Sequence, residues 1–276
     1  MRIPTVDGVE IEVHDLGGDG PPVLLCHATG FHGLVWEPLA RHLDGHHRWS
    51  MDMRAHGDSS TPTTRSLEWY GFADDILSVV DALGLDRPFG VGHSKGGAAL
   101  LLAEQARPGT FRSLWLYEPV VVPTEFVSDP SADNPLSQGA LRRRDTFASR
   151  DEAYDNYASK PSFSSLHPEV LRHYVDHGFD DNADGTVTLK CAPGAEAQVY
   201  AHGRAHHAFA GLGDVRCPTT IAVGREDVPP AIFARPIADA LPDGRLASYP
   251  DLGHFGPLED PARIATDVLA AFAAID

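Results

Sequence analysis

The segment Gly92-His93-Ser94-Lys95-Gly96-Gly97 sets a serine between an apolar run, Pro88 to Val91, and a helix-like one, Ala98 to Ala106. A serine on a tight strand-to-helix turn needs small neighbours, because the bend crowds any Cβ, and Gly92 and Gly96 provide them. The helix that begins there aims free N–H groups and the positive end of its dipole at whatever the hydroxyl attacks. A serine hydroxyl is a weak nucleophile at neutral pH, so it needs an imidazole to take its proton and a carboxylate to orient the imidazole. Among 15 histidines, His254 is best placed, in the loop Asp251-Leu252-Gly253-His254-Phe255. The carboxylate is expected to be Asp227, in Val223-Gly224-Arg225-Glu226-Asp227, with Glu118 of Tyr117-Glu118-Pro119 as second choice and Glu226 as third. Backbone N–H groups that could hold a developing oxyanion are those of Lys95, after the serine, and Thr29, in His27-Ala28-Thr29-Gly30-Phe31. His27 is expected to brace that loop rather than to do chemistry.

These residues need strand ends to stand on. Val9 to His14 alternates as a half-exposed strand does, and Pro22–Cys26, Pro88–Val91, Leu114–Tyr117 and Thr219–Val223 are short apolar runs typical of strands buried on both faces. Helix-like stretches, 36–43, 67–83 and 95–107, lie between them, so the fold class is α/β with a mostly parallel sheet and helices on both faces. The alternation breaks near Pro119. Residues 121–209 are more polar and show helical periodicity, as in Val170, Leu171, Tyr174 and Val175, and are expected to form an inserted helical cap. The core is then 1–120 and 210–276, resuming with a helix at 231–241, a strand at 246–249 and a last helix at 261–274.

With 276 residues, 42% hydrophobic, the chain can bury one substantial core. A net charge of −17 argues against nucleic acid or an anionic membrane as partner. No signal peptide or spanning segment is legible, and Cys26, Cys191 and Cys217 match neither a disulfide framework nor a zinc site, so a cytoplasmic location is expected.

With these landmarks, together with Trp36, Pro38, Asp52-Met53-Arg54-Ala55-His56-Gly57-Asp58-Ser59 and Gly253-His254, the chain resembles the α/β-hydrolase fold superfamily, capped serine-hydrolase kind. The resemblance spans about two-thirds of the chain. It implies an eight-stranded sheet with the lid inserted after the sixth strand, and it leaves the substrate open. Two departures stand out: His27-Ala28 and Arg54-Ala55-His56-Gly57 carry alanine where the family usually has glycine. Alanine costs little where φ stays negative, so a shifted oxyanion loop is expected.

The expected function is cleavage of a small-molecule carboxylic ester through an acyl-enzyme on Ser94, with no cofactor and no metal. Thioester, lactone, amide or carbon–carbon bond cleavage would use the same residues, and a slow-turnover ligand receptor would keep them without fast chemistry. Phe31, Trp36, His93 and Phe255 are candidates to line the substrate pocket, with Phe163 and Tyr200 from the insertion. Lys95, one of only three lysines, is expected to steer an anionic group or pair with a carboxylate, since adjacent helix positions diverge by about 100° and keep its amine from the serine. His202, His206 and His207 lack the glutamate of a zinc-protease signature, and Arg142 to Arg144 read as a solvated face or a carboxylate-binding patch.

Overall fold

The computed structural model describes residues 1–62, 67–131, 133–225 and 229–275. Eleven strands are present among them: β1 (Arg2–Pro4), β2 (Glu10–Asp15), β3 (Pro22–Cys26), β4 (His47–Met51), β5 (Phe89–His93), β6 (Ser113–Tyr117), β7 (Thr146–Phe147), β8 (Phe179–Asp181), β9 (Val187–Leu189), β10 (Thr219–Val223) and β11 (Gly244–Ser248). Eight of them form one mixed sheet in the order β1-β2-β4-β3-β5-β6-β10-β11. From β4 to β11 every pairing is parallel, while the β1–β2 and β2–β4 pairings are antiparallel, so β2 alone runs against the rest.

The period-two alternation of the buried strands sorts their side chains into two layers. Leu24, Cys26, Leu114, Leu116, Ile221 and Val223 pack with α2 (Trp69–Ala82), α3 (Lys95–Ala106) and α8 (Ala234–Ala240). Val23, Leu25, Phe89, Val91, Trp115 and Tyr117 face α1 (Glu37–Ala40) and α10 (Pro261–Ala273), the latter preceded by the short α9 (Gly256–Glu259). Residues Lys95 to Glu104 of α3 are buried all round, as expected of a helix enclosed by the core. It lies so close to β5 that a Cβ on Gly92 would stand 2.6 Å from the Gly97 Cα.

Strand β4 was not expected from the sequence. His47 and Arg48 interrupt its apolar pattern, and its first three residues are only partly buried, yet β3 and β2 pair with it on either side. Between β6 and β10 runs an insertion with α4 (Pro135–Leu141), α5 (Arg150–Ala158), α6 (Pro168–His177) and α7 (Pro193–His202). It also carries a three-stranded antiparallel sheet, β7-β9-β8, whose two- and three-residue strands are too short to leave a periodic signal.

The backbone departs from expectation at Ala55, which has φ +63°, the left-handed region that its family counterpart glycine enters freely. Ala55 is buried between Arg54, whose guanidinium grips Asp75 through Nε (2.6 Å) and Nη2 (2.8 Å), and His56. Ala55→Gly is expected to stabilise the fold by about 0.5–1 kcal/mol. The measurement is the urea midpoint at constant slope, and an unchanged or lower midpoint would count against strain at this position.

Candidate active site

Ser94 caps α3 with φ +54° and ψ −114°, a conformation a side-chain-bearing residue adopts only at a cost. The surrounding backbone enforces it. Ser94 N–H donates to the Tyr117 carbonyl at 2.9 Å, and its own carbonyl accepts from Ala98 N–H (3.1 Å) and Val120 N–H (3.2 Å). A Cβ on Gly96 would lie 2.2 Å from the Cys26 carbonyl oxygen, so both elbow glycines answer to close approach and not to unusual φ.

His254 stands in the loop after β11, its side chain about one-third exposed. Its Nδ1 lies 2.6 Å from Oε2 of Glu118, which is buried and sits at φ +42° just past β6. The other carboxylate oxygen, Oε1, accepts Gly224 N–H at 2.9 Å. Glu118, second choice from sequence, is therefore the carboxylate on His254 among the described residues. Asp227 and Glu226 lie outside them. Gly224, which follows β10 and precedes the segment carrying Asp227, contributes the backbone N–H that holds Glu118. With Nδ1–H donated to Glu118, His254 keeps its Nε2 lone pair for a proton.

Three groups fix the His254 loop. Tyr117 Oη donates to the Gly253 carbonyl at 2.7 Å, Gly253 N–H donates to Glu259 Oε2 at 3.0 Å, and His93 Nε2 donates to the His254 carbonyl at 2.7 Å. Burial, then the neighbouring His254, holds the His93 imidazolium well out of reach, so the ring stays neutral. His93 is thus a buried brace on the histidine loop. Trp36 is likewise fully buried, packed in the layer with α1. Phe31 and Phe255 do approach the histidine. Phe31 packs on Phe255 (5.4 Å between ring centroids) and on Phe163 (5.8 Å), and Phe255 on His254 (5.4 Å).

His27 braces the loop that follows β3. Its Nε2 accepts Met53 N–H at 2.9 Å, which leaves Nδ1–H to donate to the Ala28 carbonyl at 2.7 Å. That carbonyl belongs to the peptide unit whose N–H is Thr29's, so the imidazole orients the very amide expected to meet an oxyanion. Burial, reinforced by Lys95 and His56, pushes the His27 pKa well down and keeps it neutral. Lys95 N–H, first in α3, has no carbonyl four residues back within the helix.

The Lys95 side chain corrects an expectation. It is fully buried and, among the described residues, forms no ion pair with a carboxylate: Nζ lies 3.5 Å from His56 Nε2 and 4.5 Å from the centre of the Phe72 ring. His56 Nδ1 donates to the Arg54 carbonyl at 2.8 Å, so its Nε2 presents a lone pair to the amine. Burial lowers the Lys95 pKa to about 7.

His206, Arg143 and Arg144 have structural partners. His206 Nε2 bonds the Val120 carbonyl (3.1 Å) and the ring stacks on Trp69 (5.0 Å). Arg144 pairs with Glu152 at 2.8 Å on the surface, and Arg143 is partly buried in the insertion, paired with Glu196. Among the described residues, Glu37, Glu169 and His173 lie close enough to share a cation, but Arg41 already bridges the two glutamates. No described helix is long and apolar enough to cross a membrane.

The parallel sheet, the strained serine elbow and the histidine after the last strand define an α/β hydrolase. The family model for the alpha/beta hydrolase family matches residues 23–268, and the chain belongs to that family. It is 26% identical to a bifunctional esterase/perhydrolase of Acinetobacter calcoaceticus, over 97% of this chain and 98% of that one. It is 27% identical to a non-heme chloroperoxidase of Streptomyces lividans, over the same shares. The crystal structure of E-2-(acetamidomethylene)succinate hydrolase superposes with a TM-score of 0.81 at 21% identity, covering 99% of this chain and 98% of that one.

The buried amine yields a pH-dependent prediction. Because Lys95 titrates near 7 in the fold and near its ordinary 10.5 when unfolded, the unfolded chain binds more protons between those values, and stability contributed through this group rises with pH across that window. Lys95→Met removes the cost of burying the charge. It is expected to raise the thermal midpoint more at pH 6 than at pH 9, and an equal shift at both would mean that the amine does not change protonation on folding.

Proposed function

We propose that the protein hydrolyses a carboxylic ester through a covalent acyl-enzyme, with Ser94 as nucleophile, His254 as general base and acid, and Glu118 as the carboxylate that orients it. The observation that carries this reading is the 2.6 Å contact between Glu118 Oε2 and His254 Nδ1, beside a serine held at φ +54°. Ser94 Oγ attacks the ester carbonyl while its proton passes to His254 Nε2. The charge that gathers on the carbonyl oxygen is held by the N–H groups of Thr29 and Lys95, preset by His27 and by the start of α3, so little reorganisation accompanies the reaction. His254 returns the proton to the departing alcohol, and a water, deprotonated by the same nitrogen, releases the acid.

Glu118 stabilises the imidazolium and holds its tautomer without itself taking the proton. Residues 121–209, with Phe163 against Phe31, form the cap over the acyl side of the site. The word esterase in the name of a relative matched along nearly its whole length supports an ester over an amide.

Hydrolysis of p-nitrophenyl acetate, butyrate and octanoate tests the reading. Ser94→Ala is expected to be folded and inactive, and to lose labelling by a fluorophosphonate. Glu118→Gln is expected to cost about 10³–10⁴ in kcat, because the amide favours the wrong imidazole tautomer. A smaller loss there than in Asp227→Asn would transfer the orienting role to Asp227.

A further inference from the structure

The oxyanion loop is gripped from two sides, and the second grip comes from the insertion. Gly30 follows Thr29 with φ +80°, and a Cβ built on it would stand 2.5 Å from Glu196 Oε1 and 3.3 Å from Arg143 Nη1. Glu196 and Arg143 form an ion pair, Nη1 to Oε2 at 2.6 Å, with Glu196 buried and Arg143 nearly so. The guanidinium also donates to the Tyr157 hydroxyl from Nε (3.2 Å) and Nη2 (3.0 Å), and to the Tyr174 hydroxyl. Tyr174 in turn packs its ring on Phe31, the next loop residue, at 5.2 Å. Arg143 follows α4, Tyr157 lies in α5, Tyr174 in α6 and Glu196 in α7, so one guanidinium just past α4 ties α5, α6 and α7 together beside Gly30.

A buried ion pair is a weak source of net stability, since desolvation offsets most of its attraction, whereas it defines geometry strictly. Its placement here is against the backbone of the loop and not at the outer surface. We infer that the Arg143–Glu196 pair is a positioning element of the oxyanion hole: seated on Gly30, it fixes the Ala28-Thr29-Gly30 peptides from above while His27 fixes them from below. Closure of the insertion and alignment of Thr29 N–H are then one event. This rests on Thr29 acting as an oxyanion donor in the proposed reaction.

The test compares Glu196→Ala and Glu196→Gln with the natural protein, using kcat and KM on p-nitrophenyl butyrate and the inhibition constant of butylboronic acid. The boronic acid adds to the serine oxygen and places a tetrahedral B–O group where the oxyanion would form. Glu196→Ala is expected to lower kcat about tenfold or more with KM within about twofold, and to weaken the boronate by a similar factor. Glu196→Gln, which keeps an oxygen for Arg143 but loses the charge, is expected to lower both in smaller proportion and carries the test if the alanine variant does not fold. A structural role alone would lower the thermal midpoint and leave kcat and boronate affinity of the folded protein unchanged, which would overturn the inference. A rise in KM alone would also overturn it. Turnover retained by Ser94→Ala would remove the underlying reaction instead, so the two failures are separable.

Discussion

The carboxylate of Glu118 is the point on which the site depends. One oxygen is tied to Gly224 N–H at the end of β10 and the other to His254 Nδ1 in the loop beyond β11, so a single side chain from β6 joins three neighbouring strand ends. The geometry leaves no slack for either partner. A Cβ on Gly224 would fall 2.6 Å from both the Leu252 carbonyl oxygen and the Tyr117 hydroxyl, so only glycine lets the strand end approach closely enough. Tyr117, immediately before Glu118, holds the Gly253 carbonyl, and consecutive residues of β6 and its end thus grip the histidine loop at two places.

Two of the strained backbone positions lie where that arrangement is built. Ser94 and Glu118 both have positive φ without being glycine, and each is over-determined by backbone hydrogen bonds from adjacent strands. The extended core makes this affordable: eight strands and their flanking helices hold a few unfavourable dihedrals in place. Lys95 shows the same principle in electrostatic form. A lysine is buried against an imidazole lone pair and an aromatic face, at a cost in desolvation, one residue from the nucleophile.

The insertion is more than a cover. Its helices α5, α6 and α7 converge on one guanidinium, and its aromatic side chains continue those of the core, from Tyr157 and Tyr174 through Phe163 to Phe31 and Phe255 beside the histidine. The convergence on Arg143 was not visible as a pattern. Arg143 stood in a run of three arginines that looked solvated, and Glu196 had no distinguishing context, because what pairs them is the return of the chain 53 residues later.

The sequence by itself determined the parts that are local. Pro22–Cys26 and Thr219–Val223 match β3 and β10 residue for residue, because a strand buried on both faces must be apolar throughout. The serine elbow was legible because close packing leaves glycine no substitute, and His254 because it follows a strand within a glycine-marked loop. The choice of carboxylate was not legible. β6 and β10 are adjacent parallel strands about 4.8 Å apart, so acids following either one reach the same edge of the sheet, and chain order favours neither. Among the described residues, the folded chain turns the side chain of Glu118 toward His254 and holds it there with the amide of Gly224, a pairing across separate strand ends that no local pattern shows.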